Sequence, residues 1–129
     1  MAGKRINENV DGSMSESILE RVAEQVREVV IKLALVLDPF PLFLGLNTIH
    51  AVEVEPSGYG PDRGCVVICS DGQLYRMILR MVPGPVDIGG VEQSEELMEL
   101  DLSANEYLSY AYNAIRSLIE LLEQRTRDD

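Results

Sequence analysis

The chain has 129 residues, 46% of them hydrophobic and 5% aromatic, and its 22 acidic and 11 basic residues give a net charge of -11. This size and apolar content suit one domain with a single aliphatic core. The negative charge repels phosphate backbones and anionic lipids. We therefore expect no nucleic-acid partner, no membrane partner and a protein partner with basic residues.

The N-terminal segment 1–14 is polar and shows no apolar period. We expect a disordered arm there, followed by a single α+β domain over 15–126. A capping box formed by Ser13 and Glu16, or by Ser17 and Glu20, predicts that a helix begins near Ser15. In a capping box, a hydroxyl and a carboxylate three residues apart satisfy the free amides of a helix start.

Apolar residues recur at intervals of three and four from Leu19 to Leu37, which predicts one buried helical face. The second half of this helix is apolar on nearly every side, so we expect it to be covered from more than one direction. Asp38-Pro39 should end the helix, because proline disfavours helical geometry in the residue before it.

Three segments with strand patterns follow the first helix. Residues 44–55 alternate with period two, which predicts a half-exposed strand, and the apolar run Cys65 to Cys69 suits a central strand. Asp71-Gly72 predicts a two-residue type I′ hairpin that leads into a third strand over 74–82. That register places one apolar set on a shared sheet face: Cys65, Val67, Cys69, Leu74 and Ile78.

The last part of the chain predicts a loop, a strand and a helix. Residues 86–94 are typical of an irregular loop, and 96–102 alternate as a fourth strand, with a short helix over 94–100 as the alternative. Ser103 and Glu106 form a capping box that starts the final helix. The expected fold class is therefore α+β, with an N-terminal helix, a three- to four-stranded antiparallel meander and a C-terminal helix.

The apolar set on one sheet face predicts a homodimer. A small sheet covered by helices on one side should carry polar residues on its other side, and the set defined above is apolar. We expect a second subunit to cover Cys65, Val67, Cys69, Leu74 and Ile78, or the apolar second half of the first helix.

The acidic residues near the fourth strand are the main candidates for recognition. No Lys or Arg lies between Arg80 and Arg116, so the negative charge there is uncompensated. Tyrosines near a helix start are common at protein interfaces. The expected partner-binding residues are Glu92, Glu95, Glu96, Glu99, Tyr107 and Tyr110.

These patterns favour a non-enzymatic protein-interaction module, such as an adaptor, an assembly factor or a chaperone-like protein, without a catalytic residue, metal or cofactor. The alternative is a small regulatory or enzymatic domain. It would use His50 with carboxylates, or a divalent cation bound by the 92–99 acidic cluster.

The two cysteines and the N-terminal sequence bear on the compartment. Cys65 and Cys69 would lie about 13 Å apart on one strand, beyond the reach of a disulfide. No apolar signal-peptide core is present within 1–13. We therefore expect reduced thiols and a cytoplasmic protein.

Overall fold

The computed structural model describes residues 2–43, 49–83 and 91–128, with side chains over 14–43, 49–80 and 94–128. It confirms the α+β class: an N-terminal helix, a four-stranded antiparallel sheet and a C-terminal helix. The elements in chain order are α1 (Ala2–Val36), β1 (Ala51–Glu53), β2 (Cys65–Cys69), β3 (Leu74–Pro83), β4 (Val91–Glu99) and α2 (Ala104–Asp128).

Helix α1 is longer than the predicted helix. It begins at Ala2, so it includes residues assigned above to an arm over 1–14, and it ends at Val36, as Asp38-Pro39 predicts. The residues over 14–22 are all exposed, and Ala23 is the first buried residue of the helix among those whose side chains are described. The division into an arm and a domain over 15–126 stays a prediction.

The sheet is a meander in the order β1-β2-β3-β4, and its central register differs from the predicted one. Ile68 pairs with Leu74 and Val66 pairs with Arg76, one residue away from the type I′ pairing. The cause is a three-residue loop over 70–72, in which the left-handed Gly72 (φ 78°) ends the turn. The Gly72 amide donates to the Cys69 carbonyl at 2.9 Å.

A one-residue change of register moves every β3 side chain to the other face of the sheet. The inner face, which packs on α1 and α2, therefore contains Val54, Val66, Ile68 and Leu74. On the opposite, outer face, the buried residues form a smaller cluster of Phe43, Ala51, Val67, Cys69 and Met77.

The predicted dimer-interface set is thus divided between the two faces. Leu74 and Ile78 have inner-face register, whereas Cys65, Val67 and Cys69 lie on the outer face. Val67 and Cys69 are also buried within this chain, in one cluster with Phe43. The prediction that these five residues share one apolar face is therefore wrong, because it assumes a two-residue turn.

The strand limits differ from the predicted ones at two places. β1 covers only Ala51–Glu53, and part of the strand predicted over 44–55 lies outside the described residues. β4 begins at Val91, inside the predicted loop over 86–94, because pairing with β3 extends from Glu99 opposite Tyr75 to Val91 opposite Pro83. The expected fourth strand is confirmed, with its position shifted toward the N-terminus.

The start of α2 agrees with the capping prediction, with one change of partner. The Glu106 amide donates to Ser103 Oγ at 3.2 Å, which is the expected cap. The Glu106 carboxylate instead binds the guanidinium of Arg63. Leu102 packs against the core that contains Tyr107, which agrees with a hydrophobic staple.

The β2–β3 turn lies directly against α1. A Cβ added to Gly72 would lie 2.5 Å from the Ile31 Cα atom, and Arg27 Nη1 donates to Gln73 Oε1 at 3.4 Å. Glycine is therefore required at position 72 both for its positive φ and for the approach of the turn to the helix. Within the described ranges, neither helix combines the length and apolar character that a membrane span requires.

Candidate protein-interaction surface

Strand β4 forms one edge of the sheet, and it lies on a ribbon that extends past β2. β2 begins at Cys65, opposite Met77, while β3 continues to Pro83 and stays paired with β4. An edge strand presents a row of backbone donors and acceptors on its outer side, which another extended segment can pair with. We call the backbone of Val91–Glu99 on the side away from β3 the β4 edge.

The predicted acidic residues all lie on β4, but they do not share one face. Glu95 and Glu99 have outer-face register, opposite Leu79 and Tyr75, whereas Glu96 has inner-face register opposite Ile78. The backbone of Glu92 pairs with Val82. The acidic segment is therefore a charged strand whose carboxylates point to two sides, and it is not a convergent cluster.

Apolar side chains separate the carboxylates along the β4 edge. Leu97 lies between Glu95 and Glu99 on the outer face, and both Leu97 and its diagonal neighbour Leu79 are exposed. On the inner side of β4, Met98 is also exposed. The outer face of β4 thus presents an acidic, apolar, acidic sequence of side chains.

Glu96 forms an ion pair with Arg80 across the β3–β4 ribbon. Arg80 Nη2 lies 3.3 Å from Glu96 Oε2, and both side chains are more than half exposed. An exposed pair of this kind contributes little to stability, because solvent screens it.

The charge of β4 opposes pairing between two copies of this strand. An antiparallel second copy centred on Leu97 would place Glu95 opposite the second copy's Glu99, and like charges directly opposite each other are destabilising. Charged residues on edge strands commonly prevent such self-association. A basic segment would meet no such repulsion.

The predicted partner-binding tyrosines lie in the core. Tyr107 and Tyr110 are 3% and 5% exposed and pack in the cluster between the helices and the inner face. The guanidinium carbon of Arg27 lies 4.2 Å from the centroid of the Tyr107 ring. Burial raises the pKa of both hydroxyls, and the Tyr107 hydroxyl has no hydrogen-bond partner among the residues that the structure describes. These rings stabilise the fold within this chain.

Sequence reasoning missed how the loop over 55–64 is fixed to α2. Arg63 donates twice to Glu106, at 2.9 and 2.8 Å, and the Ser57 amide donates to the Ser109 carbonyl at 3.0 Å. The hydrogen bond to Arg63 holds the pKa of Glu106 below its usual range. A cavity of about 380 Å³ lies between this loop and α2, and the fully exposed Tyr59 lines it.

His50 makes a backbone contact. Its Nδ1 lies 2.6 Å from the Phe40 carbonyl oxygen, which can only accept, so Nδ1 carries the proton. Leu42 and His50 also form an isolated β-bridge. In the part of the chain that the structure describes, no three His, Cys, Asp or Glu side chains are grouped as metal ligands. The geometry thus assigns His50 a bond that supports the segment before β1.

Both cysteines are free thiols on β2. Burial, together with the Asp71 carboxylate, raises the pKa of Cys69 to about 11. Burial and the carboxylates of Glu53 and Glu55 raise the pKa of Cys65. Both groups are therefore protonated at neutral pH and are poor nucleophiles.

No known protein-family model, curated protein or solved structure matches this chain significantly.

Proposed function

We propose that this protein is a non-enzymatic interaction module, in the manner of an adaptor, an assembly factor or a chaperone-like protein, and that it acts as a small acidic homodimer. Its β4 edge receives an extended, basic segment of a protein partner as an additional strand. The observation that carries this proposal is the acidic, apolar, acidic order of Glu95, Leu97 and Glu99 along the outer face of an edge strand.

The register of β4 defines the side chains that such a segment needs. Side chains of neighbouring strands meet in pairs on each face, and each favourable pair contributes about 0.2–1 kcal/mol. A residue opposite Leu97 should be apolar, and the residues two positions away on either side should be Lys or Arg. The expected recognition pattern is basic, any residue, apolar, any residue, basic.

The overall charge supports the same class of partner. A net charge of -11 attracts basic segments and repels phosphate groups, so the proposal includes no nucleic-acid and no membrane partner. The protonated, unpaired thiols of Cys65 and Cys69 fit a reducing compartment, and we propose a cytoplasmic location.

Equilibrium binding of a labelled peptide tests the β4 edge. The peptide contains Lys-Thr-Ile-Thr-Lys, and the comparison peptide has Glu in place of both Lys residues. The double variant Glu95→Gln, Glu99→Gln should bind the basic peptide about threefold to tenfold more weakly. The matched control is Glu120→Gln, Glu123→Gln, which removes the same charge from exposed positions of α2 and should keep wild-type affinity. Equal weakening in both double variants would contradict a site at β4.

A second peptide separates strand addition from attraction between charges alone. Methylation of alternate backbone nitrogens removes the hydrogen bonds that an added strand donates to the edge, while the Lys residues remain. We expect binding to be lost on methylation of the nitrogens that face β4 and retained when the other set is methylated. Equal affinity of both methylated peptides would show that no strand is added.

A further inference from the structure

One side of α1 carries a line of apolar residues that are exposed in the part of the chain that the structure describes. They are between 39% and 69% exposed, although all are aliphatic or Met. At 100° per residue they fall within an arc of about 80°, separate from the buried side that contains Ala23, Val30 and Ala34. We call this set the α1 stripe: Met14, Ile18, Val22, Val29 and Val36.

The spacing of the α1 stripe is that of a helix–helix interface. Val22, Val29 and Val36 recur at intervals of seven residues. In a pair of supercoiled helices, residues seven apart all face the partner helix. Ile18 lies four residues before Val22, at the second interface position of the heptad. Gln25 and Lys32 occupy that same position in the next two heptads, so polar residues interrupt the seam.

The N-terminal half of the α1 stripe lies on a segment with little support from the domain. Residues 14–22 are exposed on every side, and the buried part of the helix begins only at Ala23. Short helical segments are marginally stable in water, and most helical stability in proteins comes from packing of an apolar face. Packing on a second helix would supply that contact for Met14, Ile18 and Val22.

We propose that the α1 stripe is the homodimer interface and that two copies pair through antiparallel α1 helices, with the two-fold axis near Gln25. This inference rests on the homodimer in the proposed function and names its surface. About this axis, Val22 packs against the second copy's Val29, and the reciprocal contact forms by symmetry.

The charges beside the stripe favour a second copy in this orientation. Arg21 and Glu28 lie on the same side of the seam, one residue before Val22 and Val29. In the antiparallel pair, Arg21 faces the second copy's Glu28, and the symmetric pair forms as well. In a parallel pair, Arg21 would face the second copy's apolar Val26. Flanking charges of this kind set helix orientation and partner choice.

The β4 edge and the outer face of the sheet are less suited to a dimer interface. Glu95 and Glu99 oppose self-pairing of the β4 edge. The outer-face cluster that contains Val67 and Phe43 is buried within the chain. Pairing through the α1 stripe also leaves the β4 edge of each copy available for a partner.

Light scattering coupled to size exclusion tests the interface over a range of protein concentrations. Wild type should be dimeric, and Val29→Glu should raise the dimer dissociation constant at least about tenfold, because it places two carboxylates in the apolar seam. The control is Gln124→Glu, which adds the same carboxylate at an exposed position of α2 outside the stripe, and it should remain dimeric. Circular dichroism of both variants should show wild-type helix content.

Charge reversal and cross-linking test the orientation. Arg21→Glu and Glu28→Arg should each weaken the dimer, and the double variant should recover it. Val22→Cys and Val29→Cys should form a disulfide when the two variants are mixed, whereas neither variant alone should do so. Cross-linking of each variant with itself would show a parallel pair and overturn the proposed orientation.

The outcomes separate this inference from the proposed function. A dimer that Val29→Glu leaves intact would place the interface elsewhere and overturn the α1 interface, while the homodimer would stand. A monomer at all concentrations would overturn both. Peptide binding at the β4 edge is measured independently, and monomeric Val29→Glu should retain it.

Discussion

Arg63 and Glu106 form a two-pronged ion pair although they lie 43 residues apart in the chain, with Nε to Oε2 at 2.9 Å and Nη2 to Oε1 at 2.8 Å. This pair joins the loop before β2 to the first turn of α2. In a complete capping box, the Glu106 carboxylate would accept a hydrogen bond from the Ser103 amide. Here the carboxylate binds Arg63 instead. The loop and the helix start are therefore held together by a specific, charge-dependent contact.

Removal of this contact should show a defined pH dependence. The pKa of Glu106 is lowered in the folded state, so its ion pair stabilises the fold above the ordinary carboxyl pKa, and the stabilisation is lost as pH falls through the lowered value. Glu106→Gln should therefore have a lower Tm than wild type at pH 7, and the difference should vanish at strongly acidic pH. Thermal unfolding from pH 7 to about pH 2.5 measures this, with Glu120→Gln as control. A Tm difference that is constant with pH would contradict the role of the pair.

The Tyr107 hydroxyl should contribute nothing favourable to stability. It is buried and has no hydrogen-bond partner within the described ranges, whereas the ring is packed in the core beneath Arg27. Tyr107→Phe should be neutral or stabilise the fold by up to about 1 kcal/mol, because it removes an unsatisfied polar group. Tyr107→Ala should cost about 3–5 kcal/mol, because it removes the whole ring. Urea unfolding measures both changes, and a loss of more than about 1 kcal/mol in the Phe variant would show that the hydroxyl has a partner.

Gly72 should be the glycine least tolerant of substitution among those with described surroundings. Gly72→Ala combines a positive φ with a contact of 2.5 Å to the Ile31 Cα atom, so we expect a loss of at least about 2 kcal/mol. Gly58 has no atom of a described residue within 4 Å of an added Cβ, and Gly58→Ala should be nearly neutral. Equal stability of the two variants in urea would contradict the docking of the β2–β3 turn on α1.

The two cysteines should react in a fixed order. Cys69 is buried and has a pKa of about 11, while Cys65 is only partly buried. Since the thiolate is the reactive form, iodoacetamide at pH 8 should modify Cys65 first and Cys69 only slowly. Peptide mass spectrometry measures the order, and the unfolded protein in urea serves as control, where both should react at similar rates. Faster modification of Cys69 in the folded protein would be inconsistent with its burial.

Local chemistry in the sequence was sufficient for several elements of the fold. Asp38-Pro39 ends α1, the apolar run from Cys65 to Cys69 forms an internal strand, and Ser103 caps α2. Each of these signals acts within a few residues, through a backbone restriction, burial on both faces or a single hydrogen bond. For this reason no knowledge of distant contacts was needed.

The register and the site depended on contacts that the local sequence does not contain. Asp71-Gly72 is compatible with a two-residue and a three-residue loop, and the position of the turn against Ile31 favours the latter. The apolar period of α2 does not specify on which side its tyrosines lie, so Tyr107 was assigned to a surface although it is buried. The sequence around Arg63 does not indicate that Glu106 is its partner, because 43 residues separate them.

A role for the acidic segment likewise depends on contacts that the local sequence does not contain. Its charge is evident from the sequence, whereas its position on an edge strand follows from pairing with β3 over the length of β4. Only that position converts Glu95, Leu97 and Glu99 into an ordered pattern on one face. The charge alone is equally typical of a solvated surface.

Amide hydrogen exchange by NMR, with and without the Lys-Thr-Ile-Thr-Lys peptide, tests the central claim most directly. An added strand accepts hydrogen bonds from every second amide of an edge strand, so alternate amides of Val91–Glu99 should gain protection on binding, while those that already donate to β3 should change little. Unchanged exchange along the whole of β4 at saturating peptide would contradict the proposal that this edge receives a partner.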